Sequence, residues 1–195
     1  MNLSARRVMV KFAAGVLGMA AAAVAQDTAI DVQRSTITIH VGKAGLLSAA
    51  GHDHWVNAPV SSGMIREAPA YVEFMVETAK MTVQPDPKLD AKTQAEIQKD
   101  MAEMTLETGK FPRIVFRSTR VDKVADAQWK VTGDLALHGV TKPVTLLVKR
   151  MGDTYTAHTV LKQTDFAIKP VSVAGGVIKA KDELELDFAI FTRRP

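Results

Sequence analysis

Gly133-Asp134-Leu135-Ala136-Leu137-His138-Gly139-Val140-Thr141-Lys142-Pro143-Val144-Thr145-Leu146-Leu147 is the stretch that decides the fold. Side chains of a strand alternate between faces, so Leu135 and Leu137 point one way and Asp134 and His138 the other. Gly139 permits a positive φ, and Pro143 fixes φ where a second alternating run begins. The stretch therefore predicts a β-hairpin of two short strands joined by a five-residue turn.

Outward from this hairpin the same alternation recurs. Eight stretches read as strands: 34–42, 54–66, 71–81, 113–121, 128–138, 143–151, 154–163 and 182–192. The clearest sets Leu184, Leu186, Phe188 and Ile190 on one face and Glu183, Glu185 and Asp187 on the other. Ile114 and Phe116 alternate with Arg117 and Thr119, and Tyr155, Ala157, Thr159 and Leu161 share a face more weakly. One helix interrupts the strands. Asp90 to Met104 is built of good helix formers, with Ile97, Met101 and Met104 at helical spacing, after Pro85 and Pro87 and before Gly109 and Pro112. Strands with one apolar face must stack or close to bury it and to remove their edges. The pattern alone fits a sandwich or a barrel.

The first 25 residues read as a secretion signal, leaving 26–195 as one domain. Arg6, Arg7 and Lys11 precede an apolar run from Phe12 to Ala22, and Ala23-Val24-Ala25 supplies a small-x-small cleavage pattern. The run is shorter than the roughly 20 residues of a membrane helix. Three of the 25 Lys and Arg lie there and none of the 21 Asp and Glu, so the remainder carries 22 against 21. That balance gives no basic face for a nucleic-acid partner. With no cysteine, disulfides and thiolate chemistry are excluded.

The wording of the hairpin resembles the G-x-L-x-x-x-G-V-T-K-P-V-x-L hallmark of the YceI-like family. Ser35-Thr36-Ile37-Thr38-Ile39-His40 is similar to that family's opening strand, Phe111-Pro112-Arg113-Ile114-Val115-Phe116-Arg117-Ser118-Thr119 to the strand after its helix, and Thr164-Asp165-Phe166-Ala167-Ile168 to a later D-F-x-I segment. Ala49-Ala50-Gly51-His52-Asp53-His54-Trp55 departs from the family's usual Gly-x-Phe strand start. The resemblance implies an all-β, eight-stranded antiparallel lipocalin-like β-barrel with one inserted helix. It also implies a periplasmic or secreted binding or carrier protein, not an enzyme, for an isoprenoid-type lipid such as a polyprenol or quinone.

Alternation alone would let the inward apolar positions form a densely filled core. The resemblance makes them the lining of a lipid cavity: Ile114 and Phe116, Leu135 and Leu137, Leu146 and Val148, and Leu184, Leu186, Phe188 and Ile190. Met64, Met75, Met81, Met101 and Met104 suit an adaptable lining. His52 and His54, at i and i+2, share one face of a strand and are expected at the rim beside the lipid headgroup. A zinc or copper site is the alternative, with His40, His138 or His158 as a third ligand. A ligand-free stress or structural protein is a third reading. Ser48, Ser61 and Ser62 lie near these histidines in sequence, but no G-x-S-x-G elbow accompanies them. Lys142 is expected as a solvated lysine at the hairpin tip. No resident cofactor is expected beyond a bound lipid or quinone. The sequence names neither the lipid nor a membrane-associated redox partner, and fits monomer or dimer.

Overall fold

The structure is a computed structural model that describes residues 27–45, 52–173 and 177–193. The expected secretion signal, Ser48 and Gly51 lie outside the described residues. Twelve strands run through the described chain: β1 (Asp27–Ala29), β2 (Thr36–Ala44), β3 (His54–Pro59), β4 (Ser62–Glu67), β5 (Ala70–Glu77), β6 (Thr82–Val83), β7 (Arg113–Ala125), β8 (Gln128–Leu137), β9 (Val140–Met151), β10 (Thr154–Lys162), β11 (Ser172–Val173) and β12 (Ile178–Phe191). They form one curled antiparallel sheet in the order β1-β4-β5-β7-β8-β9-β10-β12-β2-β3-β6, with β11 beside β12.

The expected count of eight is therefore corrected. The eight alternating stretches are present, but β1, β6 and β11 are only two or three residues long, too short to show a period. The single strand expected over 54–66 is also two. At its middle Val60 is buried, its N–H donates to the Ser35 carbonyl at 3.1 Å, and the next N–H, of Ser61, donates to the Met75 carbonyl at 2.8 Å. The chain changes partner there: β3 pairs with β2, and β4 pairs with β5. Such a corner turns one sheet back towards itself. The start of the sheet also meets its far side, where Ile30 bridges Thr192. The Asp31 N–H donates to the Phe191 carbonyl at 2.8 Å, and the Arg193 N–H to the Ala29 carbonyl at 3.0 Å.

The central hairpin is tighter than expected. β8 ends at Leu137 and β9 starts at Val140, leaving a two-residue turn in which His138 has φ 51° and Gly139 φ 77°. Two successive positive φ angles make the primed turn whose twist matches that of the flanking strands. Histidine adopts this conformation uncommonly, which is why Gly139 alone signals it in the sequence. His138 is also turned inward rather than to solvent. Its ring meets the Glu107 carboxylate at 2.9 Å and the Phe166 carbonyl at 3.3 Å, with the Phe111 ring 4.2 Å away.

The helix, α1 (Ala91–Asp100), starts on Asp90, whose carboxylate accepts the Lys92 and Thr93 N–H groups, and passes into one wider turn over Met101–Thr105. Gln98 fastens it to the sheet. Its side-chain amide donates to the Met81 carbonyl at 3.0 Å, and its oxygen accepts the Val83 N–H at 2.7 Å. The sheet's inner face carries the buried cluster, including Ile37, Val56, Phe74, Val76, Phe116, Val131, Leu146 and Phe188.

Candidate functional site

The inner face is not filled. A cavity of about 460 Å³ lies under α1, between β2, β3, β5, β7, β8, β9, β10 and β12. A second of about 340 Å³ lies towards the other end of the sheet. The alternation of the strands builds both. Ile37, Ile39 and Val41 on β2, Leu135 and Leu137 on β8, and Leu184 and Leu186 on β12 send successive inward side chains into the larger chamber. Its roof is apolar as well, since Ile97, Met101 and Leu106 face it from the helix and the turn that follows. Part of the lining is polar and charged: Lys43, His52, His54, Asp100, Lys162 and Lys179 belong to it.

All ten apolar positions expected to face the interior line one or both chambers. Ile114, Leu135, Leu137, Leu184 and Leu186 border the larger one, Val148 and Ile190 the smaller, and Phe116, Leu146 and Phe188 both. Of the five methionines only Met81 and Met101 reach a chamber, and Met104 is exposed. The expected lining omits β2, β3 and β5, which border the larger chamber as well. Ile37, Ile39 and Val41 alternate plainly and were there to be read. In Tyr71-Val72-Glu73-Phe74-Met75-Val76 both faces carry apolar side chains, so the period that would single out Phe74 and Val76 is blurred.

His52 and His54 both line the larger chamber. The Nδ1 of His52 lies 3.2 Å from an Asp86 carboxylate oxygen in the segment leading to α1. Burial, with the charge of His52 nearby, lowers the pKa of His54 below that of an ordinary histidine and favours its neutral form. A bond from the Lys88 N–H, joined by the His52 ring, holds the Asp86 carboxyl below the usual range. Among the described residues no third metal ligand joins this arrangement. His40 stacks on Trp55 at 4.4 Å, beside Asp53 and Glu185; His158 meets Asp187 at 2.9 Å; and His138 is engaged with Glu107. Among the described residues no group of three or more His, Cys, Asp or Glu side chains is placed to hold a metal ion.

The remaining candidates are structural. Ser61 accepts the Glu77 N–H at 3.2 Å at the β3–β4 corner, and Ser62 opens β4. Lys142 is not at the hairpin tip. It sits on β9 opposite Leu135 and donates to Asp165 at 2.8 Å, tying β9 to the 163–166 turn.

An apolar chamber inside a curled antiparallel sheet, roofed by one helix, is the geometry that the YceI-like resemblance implies, and the YceI-like domain family matches residues 28–191. The chain belongs to that family. This YceI-like chain is 42% identical over 74 residues to Protein YceI of Escherichia coli O157:H7, a stretch covering 33% of the chain and 38% of the relative. It is 53% identical over 47 residues to Protein YceI of Salmonella arizonae, 24% of each. The matched stretches thus span well under two thirds of these relatives. Among solved structures, the fold is shared with BcnA of Burkholderia cenocepacia, at a TM-score of 0.57 and 15% identity over 83% of this chain and 98% of that one. It is shared equally with a polyisoprenoid binding domain from Saccharophagus degradans implicated in plant cell wall breakdown, at 0.58 and 19% identity over 86% and 98%.

Proposed function

We propose that this YceI-like protein is an exported, periplasmic or secreted carrier of an isoprenoid-type lipid, a polyprenol or quinone, whose tail lies in the larger chamber. The observation that carries the reading is the chamber itself: about 460 Å³ of space walled mostly by apolar side chains, with a few polar and charged groups in its lining. Filled cores leave few voids larger than a water molecule, whereas ligand sites occupy about 300–1,000 Å³ and combine an apolar lining with a few polar groups. Burial of each methylene-sized unit is worth about 0.8 kcal/mol, so affinity comes from tail length more than from polar contacts. In the polar part of the lining, His54 in its neutral form and His52 held by Asp86 can hydrogen-bond a hydroxyl or carbonyl headgroup, and Lys43, Lys162 and Lys179 favour an acceptor-rich one. The polyisoprenoid binding domain that shares this fold supports the ligand class. No catalytic step and no resident cofactor are needed for this role.

The test uses delipidated protein titrated with a long-chain prenyl alcohol and the corresponding prenylated benzoquinone. Ile39→Trp, which places an indole in the larger chamber, serves as the blocked variant. The reading expects saturable binding by the parent chain and little by Ile39→Trp at similar folded stability. Equal binding by both, or none by the parent, contradicts it.

A further inference from the structure

The two chambers are separated by a wall. Phe74, Phe116, Leu146 and Phe188 line both, so these four side chains stand between them. Phe74 and Phe116 face each other in the β5–β7 register, with ring centroids 5.3 Å apart and planes 21° from parallel. Phe188 meets Phe74 edge-on at 6.1 Å from across the interior. Phe116 is 2% exposed, the most deeply buried of the three rings.

Gly133 shows that the wall is built into the sequence. The inward positions of β8 run Val131, Gly133, Leu135; Val131 borders the smaller chamber and Leu135 the larger. A Cβ at Gly133 would lie 2.5 Å from Cζ of Phe116 and 2.4 Å from the Arg117 carbonyl oxygen. The Phe116 ring therefore occupies the place that an inward side chain of β8 would take. Glycine within a strand marks such a close approach. Paired rings prefer offset-stacked and edge-to-face arrangements, and both occur here, so the three rings support one another across the interior.

On the reading that the interior holds a prenyl tail, we infer that this aromatic wall sets the chain length the protein prefers. The larger chamber accepts isoprene units until the tail meets Phe74, Phe116 and Phe188. Units beyond that point stay outside and add no affinity. The smaller chamber adjoins the wall on its other side, with Val121, Val131, Val148 and Ile190 in its lining, so removal of the wall extends the usable length.

The experiment measures dissociation constants for a series of all-trans prenyl alcohols from farnesol to solanesol, on the parent protein, Phe74→Ala and Phe74→Leu. The leucine variant keeps most of the apolar volume and carries the test if the alanine variant does not fold. The parent is expected to tighten with each added unit and then level off. The wall variants are expected to go on tightening past that length, by about fourfold for each further methylene-sized group buried. Adding Val148→Trp to Phe74→Leu, which fills the second chamber, is expected to restore the plateau of the parent. A plateau at the same length in every variant overturns the wall as a ruler while leaving the carrier reading intact. Failure of the parent to bind any alcohol of the series overturns the carrier reading itself.

Discussion

Gln98→Ala isolates the fastening of the helical roof. In the parent, the Gln98 side chain makes two hydrogen bonds to the backbone of the 81–83 segment, at 3.0 Å and 2.7 Å. Neutral hydrogen bonds of this kind contribute about 1 kcal/mol each, so the closed roof should lose about 2 kcal/mol. A loss of about 2 kcal/mol raises the population of locally opened roof about 30-fold. Alanine is the better helix former, so loosening cannot be ascribed to helix propensity. Native-state hydrogen exchange reads the effect directly. Amides of 94–106 should exchange about 30-fold faster, while those of Val131 and Leu146 in the buried cluster should keep their rates. If the roof is the ligand's exit, release of a bound prenyl alcohol should quicken in step with roof exchange. Unchanged roof exchange would show that Gln98 does not hold the helix down. An equal rise in β8 and β9 would show global rather than local opening.

Three further outcomes are expected. His138→Ala removes the bonds to Glu107 and Phe166 and the contact with Phe111, and should cost about 2 kcal/mol in denaturant unfolding; a change under about 0.5 kcal/mol would assign the turn to Gly139 alone. The folded pKa of His54 is lowered, so the native state binds fewer protons than the unfolded chain, and stability should fall as pH drops below about 6.5, with no contribution from this group above it. Urea midpoints for the parent and His54→Gln should diverge only on that acid side, and parallel curves would refute the assignment. Asp90→Ala strips α1 of its N-cap and should lower stability by about 1 kcal/mol, visible as faster exchange at the start of the helix.

The strands that were legible in the sequence are those with one wet face. Glu183, Glu185 and Asp187 against Leu184, Leu186 and Phe188 leave no ambiguity of period, and the inward positions of β7, β8 and β9 follow equally. β5 was harder because apolar residues occur on both its faces, and the wall residue Phe74 was missed with it. The corner at Val60 and Ser61 has no local signal: alternation runs through it, and only the change of partner from β2 to β5 reveals the break. The length of the central turn depended on His138 taking a positive φ, which its contacts with Glu107, Phe111 and Phe166 favour. Gly133 was legible only as part of a motif. Its physical meaning, room for the Phe116 ring, needs the β7–β8 register to be seen. His52 and His54 stand in the segment that departs from the family's usual strand start, so the resemblance gave no guide to them, and the lack of a third ligand among the described residues followed from geometry alone.

The central claim is that the interior carries an isoprenoid tail, and the direct measurement is native mass spectrometry of the protein isolated from the cells that make it. Solvent extraction and mass analysis of anything released complete it. The account predicts a discrete adduct of unit stoichiometry that extracts as a prenyl alcohol or prenylated quinone and is absent from Ile39→Trp. A bare mass in cells that contain such lipids, or an adduct that persists unchanged in Ile39→Trp, would contradict it.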